Sequence, residues 1–331
     1  MKQLMNFSVY SSDTERFGHN WQAVAAYARQ YKLDGLELLT GFDPPPELPA
    51  GLVQGVHLPF WVTWLDVWRG RPGAVERYFP GIPPEYLPYY CGGATPAEIV
   101  AASRQAWQHA AQLRPNYAVF HVSHVEPEHS FTRRFPYSDA DVISATADLL
   151  NAVAATFPGG EPPVRLFLEN LWWPGLTFAS SAAAEQLAGR LKFNNWAFVL
   201  DTGHLMNTNP ALDDEDAAID FVLETLARLS PAVVERIEGL HFNLSTSGAY
   251  QRAQIEQGLP AGFHSWDWDR QTEQSRLNAY QIDQHRPFTS PRCREIVAAL
   301  RPQFLTHEFL SASQAEFDRK LGTQQAALSM T

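Results

Sequence analysis

A chain of 331 residues with 45% hydrophobic residues is long enough for one large domain with a substantial core, and too apolar to be disordered. It has no run of about 18 apolar residues, no apolar leader after Met1-Lys2-Gln3-Leu4, and two cysteines, Cys91 and Cys293, that form neither a CxxC pair nor a disulfide framework. A cytoplasmic protein without a membrane span is expected, and the formal charge of -11, with no basic stripe, counts against a nucleic-acid partner.

Leu4 to Tyr10 reads as a first strand, and Trp21 to Tyr31 has helical spacing with Trp21, Val24, Ala25 and Ala28 on one side. Gly35 to Leu39 is a second strand carrying Glu37, and Val53 to Leu58 a third that ends at His57. Residues 59–96 break this rhythm with Trp61, Trp64, Trp68, Tyr78, Phe79, Tyr86, Tyr89 and Tyr90 among prolines and glycines. A long loop in a compact domain is usually functional or carries short helices. Its aromatics either cover a substrate or build a small core of their own.

Thr95-Pro96-Ala97-Glu98 has the form of a capping box opening a helix to Leu113. Tyr117 to Val122 is a fourth strand with His121 at its end, and a helix starts at Ser138 or Asp139. Arg165 to Asn170 is a fifth strand ending in Glu169, and Ser181 to Leu191 a helix. The apolar run Trp196 to Leu200 leads into Asp201-Thr202-Gly203-His204, a sixth strand buried on both faces. A helix over Asp213 to Leu229 is acidic in its first turn, which suits its dipole. Ile237 to Leu244 is a seventh strand with His241, followed by a second long loop over about 245–290. Pro291 to Leu300 reads as a helix, Phe304 to Phe309 as an eighth strand carrying Glu308, and the tail from Ser313 as helical.

Eight strands alternating with helices and lacking a clear linker predict a single (β/α)8 TIM barrel over 1–331, with long loops after strands 3 and 7. In such barrels the C-terminal strand ends share one face, where active sites lie. Glu37, His57, His121, Glu169, Asp201, His241 and Glu308 then converge on one mouth. Singly, each is a weak sign, since buried histidines and ion-paired glutamates are common in cores. Clustered buried carboxylates are costly, however, and a divalent cation relieves that cost. Mixed carboxylate and imidazole ligands suit Zn, Mn, Co or Fe better than Mg or Ca. No nucleotide cofactor is expected.

The strand-end motifs VHLPF (56–60), FLEN (167–170), LDTGH (200–204), LHFN (240–243) and THEF (306–309) resemble the xylose-isomerase-like TIM barrel superfamily, which includes sugar isomerases, epimerases and endonuclease IV enzymes. The resemblance runs strand by strand over nearly the whole chain. It implies an epimerase-type metal site of Glu169, Asp201, His241 and Glu308. Glu169 and Glu308 would then move the proton as base and acid, and His204 would bond a substrate oxygen. The endonuclease pattern adds a second metal position at His57 and His121 that shares Glu169. It adds a third position of His204 with an Asp-x-His pair after strand 7. That pair is sought at Gly262-Phe263-His264, where the Asp is absent; His264 remains a candidate, with Asp267 or Asp269 as substitutes. This departure favours one or two metals.

Trp61, Trp64, Trp172 and Trp173 are candidate walls of a substrate pocket, because aromatic faces pack on sugars. The leading expectation is a metal-dependent isomerase or epimerase acting on a sugar-like small molecule. The alternative is a metal-dependent hydrolase or lyase, including an endonuclease-IV-like phosphodiesterase, and the third reading a non-catalytic barrel. Exposed loop aromatics are a candidate oligomer contact.

Overall fold

Every one of the apolar stretches forms a strand, and each strand lies parallel to the next in sequence. β1 (Lys2–Ser8), β2 (Gly35–Leu39), β3 (Val53–His57), β4 (Tyr117–His121), β5 (Leu166–Glu169), β6 (Trp196–Asp201), β7 (Ile237–Phe242) and β8 (Phe304–His307) close into one barrel in the computed structural model, which describes residues 1–329. β1 pairs with β8 to complete the ring. Helices cover the outside, so the strands are buried on both faces and need no polar alternation. This is the expected (β/α)8 architecture. Among the described residues, no helix is long and apolar enough to cross a membrane.

Side chains two apart on a strand share a face. Tyr117 and Val119 of β4, Phe167 of β5, Ala197 and Val199 of β6 and Phe304 of β8 fill the lower barrel with Leu4 of β1. One step further along these strands stand His121, Glu169 and Asp201. The same alternation that plugs the barrel with apolar groups therefore ends in ionisable groups at its mouth. Tyr117 stacks on Phe167 with ring centroids 4.2 Å apart. Gly55 of β3 makes room for this pair: a Cβ there would lie 2.3 Å from the Tyr117 ring.

The larger core lies between the barrel wall and the helices, and Leu38, Val56, Leu168, Leu200 and Leu240 belong to it. Local signals set the helix ends. Thr95 caps Pro96–Gln112 by accepting from the Glu98 amide, and the Glu98 carboxylate accepts from Ala94 rather than from the cap residue. Ser138 and Asp141 form a complete capping box on Asp139–Ala154.

The first long insertion carries short helices, one of its two expected forms, and the second differs from its expected form. Residues 59–96 contain the short helices Leu65–Trp68, Ala74–Tyr78 and Leu87–Cys91. The span expected as a loop over 245–290 holds two helices, Gly248–Gln257 and Trp268–Ile282. Their low apolar content hides them from a search for amphipathic faces. They pack on each other and on the short helix Pro127–Thr132.

Candidate metal centre

Three groups of side chains, each with its donor atoms within 4.8 Å of one another, meet at the C-terminal end of the barrel: His57, His121 and Glu169; Glu169, Asp201, His241 and Glu308; and His204, Asp283 and His285. The parallel register brings the first two together, because His121 pairs with Glu169 across β4 and β5 and Asp201 with His241 across β6 and β7. Glu308 follows the end of β8.

Glu169 is common to two groups, and its two oxygens face different partners. Oε2 lies 3.4 Å from His57 Nε2 and 3.2 Å from His121 Nε2. Oε1 lies 3.2 Å from His204 Nδ1 and 3.2 Å from His241 Nδ1. His241 Nδ1 also stands 3.1 Å from Glu308 Oε2 and 3.9 Å from Asp201 Oδ2.

Outer contacts fix the orientation of each ligand. His57 Nδ1 donates to the Leu58 carbonyl at 3.0 Å, leaving Nε2 turned toward His121. Asp201 caps the short helix Thr202–Asn207 by accepting from the His204 amide at 2.6 Å, and this turn brings the His204 ring over Glu169. Asn243 donates to the other Asp201 oxygen at 2.8 Å. The glycine of Asp-Thr-Gly-His is required here, since a Cβ at Gly203 would sit 2.0 Å from the Asn243 side-chain oxygen.

The third group includes residues that the sequence reading missed. Asp283-Gln284-His285 is an Asp-x-His pair, and it lies after the second insertion helix rather than at Gly262-Phe263-His264. Asp283 Oδ2 is 3.2 Å from His204 Nε2 and 2.7 Å from His285 Nε2. A bridge between Leu244 and Arg286 returns this segment to the end of β7. His264 is a correction: its side chain is 72% exposed and lies 3.8 Å from Glu128, outside all three groups. Asp267 caps the helix Trp268–Ile282 and Asp269 sits in its first turn, so neither substitutes for Asp283.

The aromatics divide in two. Trp64 is buried with its indole N–H on the Ser123 carbonyl, so it packs the insertion instead of walling the pocket. Trp172 and Trp173 are also buried, but the Trp172 ring centroid lies 5.1 Å from that of His204, at the edge of the site. Trp61 is half-buried and stacks on Phe42. Phe60, which the sequence reading passed over, is exposed and lies 4.2 Å, ring to ring, from His121.

Burial and mutual repulsion set the electrostatics of the cluster. Burial would raise the Glu169 carboxyl, but the His241 and His121 imidazoles hold it well below the usual range. Burial pushes Asp201 well above the usual range, and the nearby Glu308, Asp283 and Glu169 add to this. His241 and His204 are raised well above an ordinary histidine: burial opposes this, and Glu37, Glu308 and Glu169 outweigh it at His241, Asp201 and Asp283 at His204. So many buried charges need protons or cations between them.

The donor set fits cations. His57 Nε2 and His121 Nε2 face each other at 2.9 Å. Glu169 Oε2 and Glu308 Oε2 are buried without a well-directed hydrogen bond, although imidazole nitrogens stand 3.1–3.4 Å away. Carboxylate oxygens and imidazole nitrogens that converge on common points are what divalent-ion ligation requires.

No family model and no curated protein sequence matches this chain. Solved structures do. A D-tagatose 3-epimerase-like protein superposes with a TM-score of 0.53 at 11% identity, covering 99% of this chain and 97% of that one. Endonuclease IV from Thermus thermophilus gives a TM-score of 0.51 at 15% identity over 99% of both chains. The IolI protein, with a bound zinc atom, gives 0.53 at 12% identity over 99% of this chain and 96% of that one. At these identities the likeness is one of fold. In fold, then, the chain is similar to these (β/α)8 barrels.

Proposed function

We propose that this protein is a multinuclear, divalent-metal-dependent hydrolase of phosphate esters, with zinc or a similar ion at each of the three ligand groups. The observation that carries this reading is the divided carboxylate of Glu169, with one oxygen toward the His57 and His121 group and the other toward the His241 group. A carboxylate shared in this way would hold two ions side by side, an arrangement that suits in-line displacement at phosphorus. The His204, Asp283 and His285 group adds a third position.

Bound cations would supply the positive charge that acidifies a water and neutralises phosphate oxygens. The protein's own residues do the rest. Glu169 holds the first two positions in register. Asn243 and the His204 amide fix the Asp201 carboxylate. Trp172, beside His204, keeps water from that side of the site. Phe60, over His121, offers an apolar face to a substrate group next to the reacting ester.

A second reading, the isomerase or epimerase on a sugar-like substrate, has its own support. Glu169 and Glu308 approach the same His241 nitrogen at 3.2 and 3.1 Å, so two glutamates flank one ligand group as two-base proton transfer needs. One experiment separates the readings. The zinc- or manganese-loaded protein is given bis(p-nitrophenyl) phosphate, duplex DNA with an abasic analogue, and a ketose panel in deuterated water. Ester cleavage that vanishes in Glu169→Gln is the expected result. Deuterium exchange into a ketose without ester cleavage would replace the hydrolase reading by the isomerase one.

A further inference from the structure

Beneath the metal centre lies a buried carboxylate outside the three ligand groups. Glu37, on β2, is 2% exposed and faces the barrel interior. Its Oε1 lies 2.9 Å from His241 Nε2. Its Oε2 accepts from the Tyr117 hydroxyl at 2.7 Å and from Thr306 Oγ1 at 3.2 Å. Tyr117 reaches it from β4 across the barrel, through the space left by Gly55. Three strands besides its own therefore converge on this carboxylate.

We infer that Glu37 is the positioning residue of the centre: it holds His241 with Nε2 donating to its carboxylate and Nδ1 turned toward Glu169, Asp201 and Glu308, so it sets metal affinity at that one position. The inference rests on the metal reading above and deepens it. His241 can ligate there through Nδ1 alone, because Nδ1 is the atom within 3.1–3.9 Å of the three carboxylates. A carboxylate on the far nitrogen makes the ring a stronger donor and fixes its rotation. Tyr117 and Thr306 hold Glu37 in place, so the apolar plug of the barrel is mechanically continuous with one metal ligand. The His57 and His121 group and the His204, Asp283 and His285 group have separate supports, in the Leu58 and Asn170 carbonyls.

The test is a zinc titration of the metal-stripped full chain against a competing chelator, for wild type, Glu37→Gln and Tyr117→Phe, with nitrogen NMR of the histidine rings. Glu37→Gln is expected to weaken one zinc equivalent about 10–100-fold and leave the others unchanged. Tyr117→Phe weakens the same equivalent by a smaller factor, and it carries the comparison if Glu37→Gln does not fold. The His241 Nε2–H signal, assigned by its loss in His241→Asn, is expected to be protected from exchange in wild type and to exchange faster in both variants. Wild-type affinity at every equivalent, or equal weakening of all of them, overturns the inference. If wild type binds no zinc, the proposed function falls, and the NMR signal alone decides on Glu37: a bare Nε2, or protection unchanged in the variants, overturns its positioning role.

Discussion

The two long insertions of this barrel stand at similar places and do opposite things. The one after β3, residues 58–95, turns its large side chains onto the core: Trp64, Leu65, Val67, Tyr78, Phe79 and Leu87 are all buried. What it leaves outside is aromatic, at Phe60, Tyr86 and Tyr89. The one after β7 is mostly polar and helical, and it delivers Asp283 and His285 to the candidate metal centre. Hydrogen bonds of 2.7 and 3.0 Å between Leu244 and Arg286 pin its return. A ligand can thus reach a site through a long helical detour, provided the returning strand is pinned at the site itself.

The sharpest way to break this contrast is to remove a ligand from each place where one was sought. Asp283→Asn is expected to lose about one metal equivalent and to lower ester hydrolysis on the order of 100-fold or more, comparable to deleting a preorganised charge-stabilising group. His264→Ala, in the same insertion, is expected to change neither, and metal analysis with rate measurements compares the two. Equal behaviour of these variants would remove the third position from the mechanism.

Stability separates the insertions next. Trp64→Ala should cost about 3–5 kcal/mol, because a buried indole and its hydrogen bond to Ser123 are lost. Tyr86→Ala, at an exposed ring of the same insertion, should stay within about 0.5 kcal/mol. Denaturant unfolding reads both. Stripping metal comes third: restoring zinc to 100 times its dissociation constant should return about 2.7 kcal/mol for each position filled. That gain should shrink in Asp283→Asn and persist in Trp64→Ala.

The smallest effect is at acid pH. Arg69 of the first insertion bonds Asp141, whose carboxyl is held down to about 2 by hydrogen bonds from Ser138 first and then from Arg69. A depressed carboxyl stabilises the fold above its unfolded value, near 3.9, and loses that contribution as pH falls toward 2. Asp141→Asn should therefore lower stability by less than about 1 kcal/mol at neutral pH, since the pair is exposed. The difference from wild type should close as pH falls through about 2. A gap that persists below that pH would show that it does not come from ionisation of Asp141.

Strand order and the strand-end residues were legible because a parallel barrel writes them locally: an apolar run buried on both faces, then an ionisable group. Gly35–Leu39 and Trp196–Asp201 have the expected limits, and the other strands differ by one or two residues at one or both ends. Glu169, Asp201, His241, His57 and His121 follow from that rule. Asp283 and His285 do not, because no strand precedes them and their position depends on the Leu244 bridge. The Asp-x-His spacing was present in the sequence, and a search of the whole span after β7 would have found it. Trp64 was misread for a related reason: aromatic type does not tell which side of a loop faces the core.

The shared carboxylate of Glu169 has a consequence for how the protein fills. An ion at the first position fixes the Glu169 side chain, and with it one donor of the second, before the second ion arrives. Ordering costs met by the first binding event are not met again by the next. The first ion should therefore modestly ease filling of the second, while each position keeps an affinity of its own and the His204, Asp283 and His285 position fills separately. The order of filling, rather than a single threshold, would then set how much of the protein is active at a given free-ion concentration.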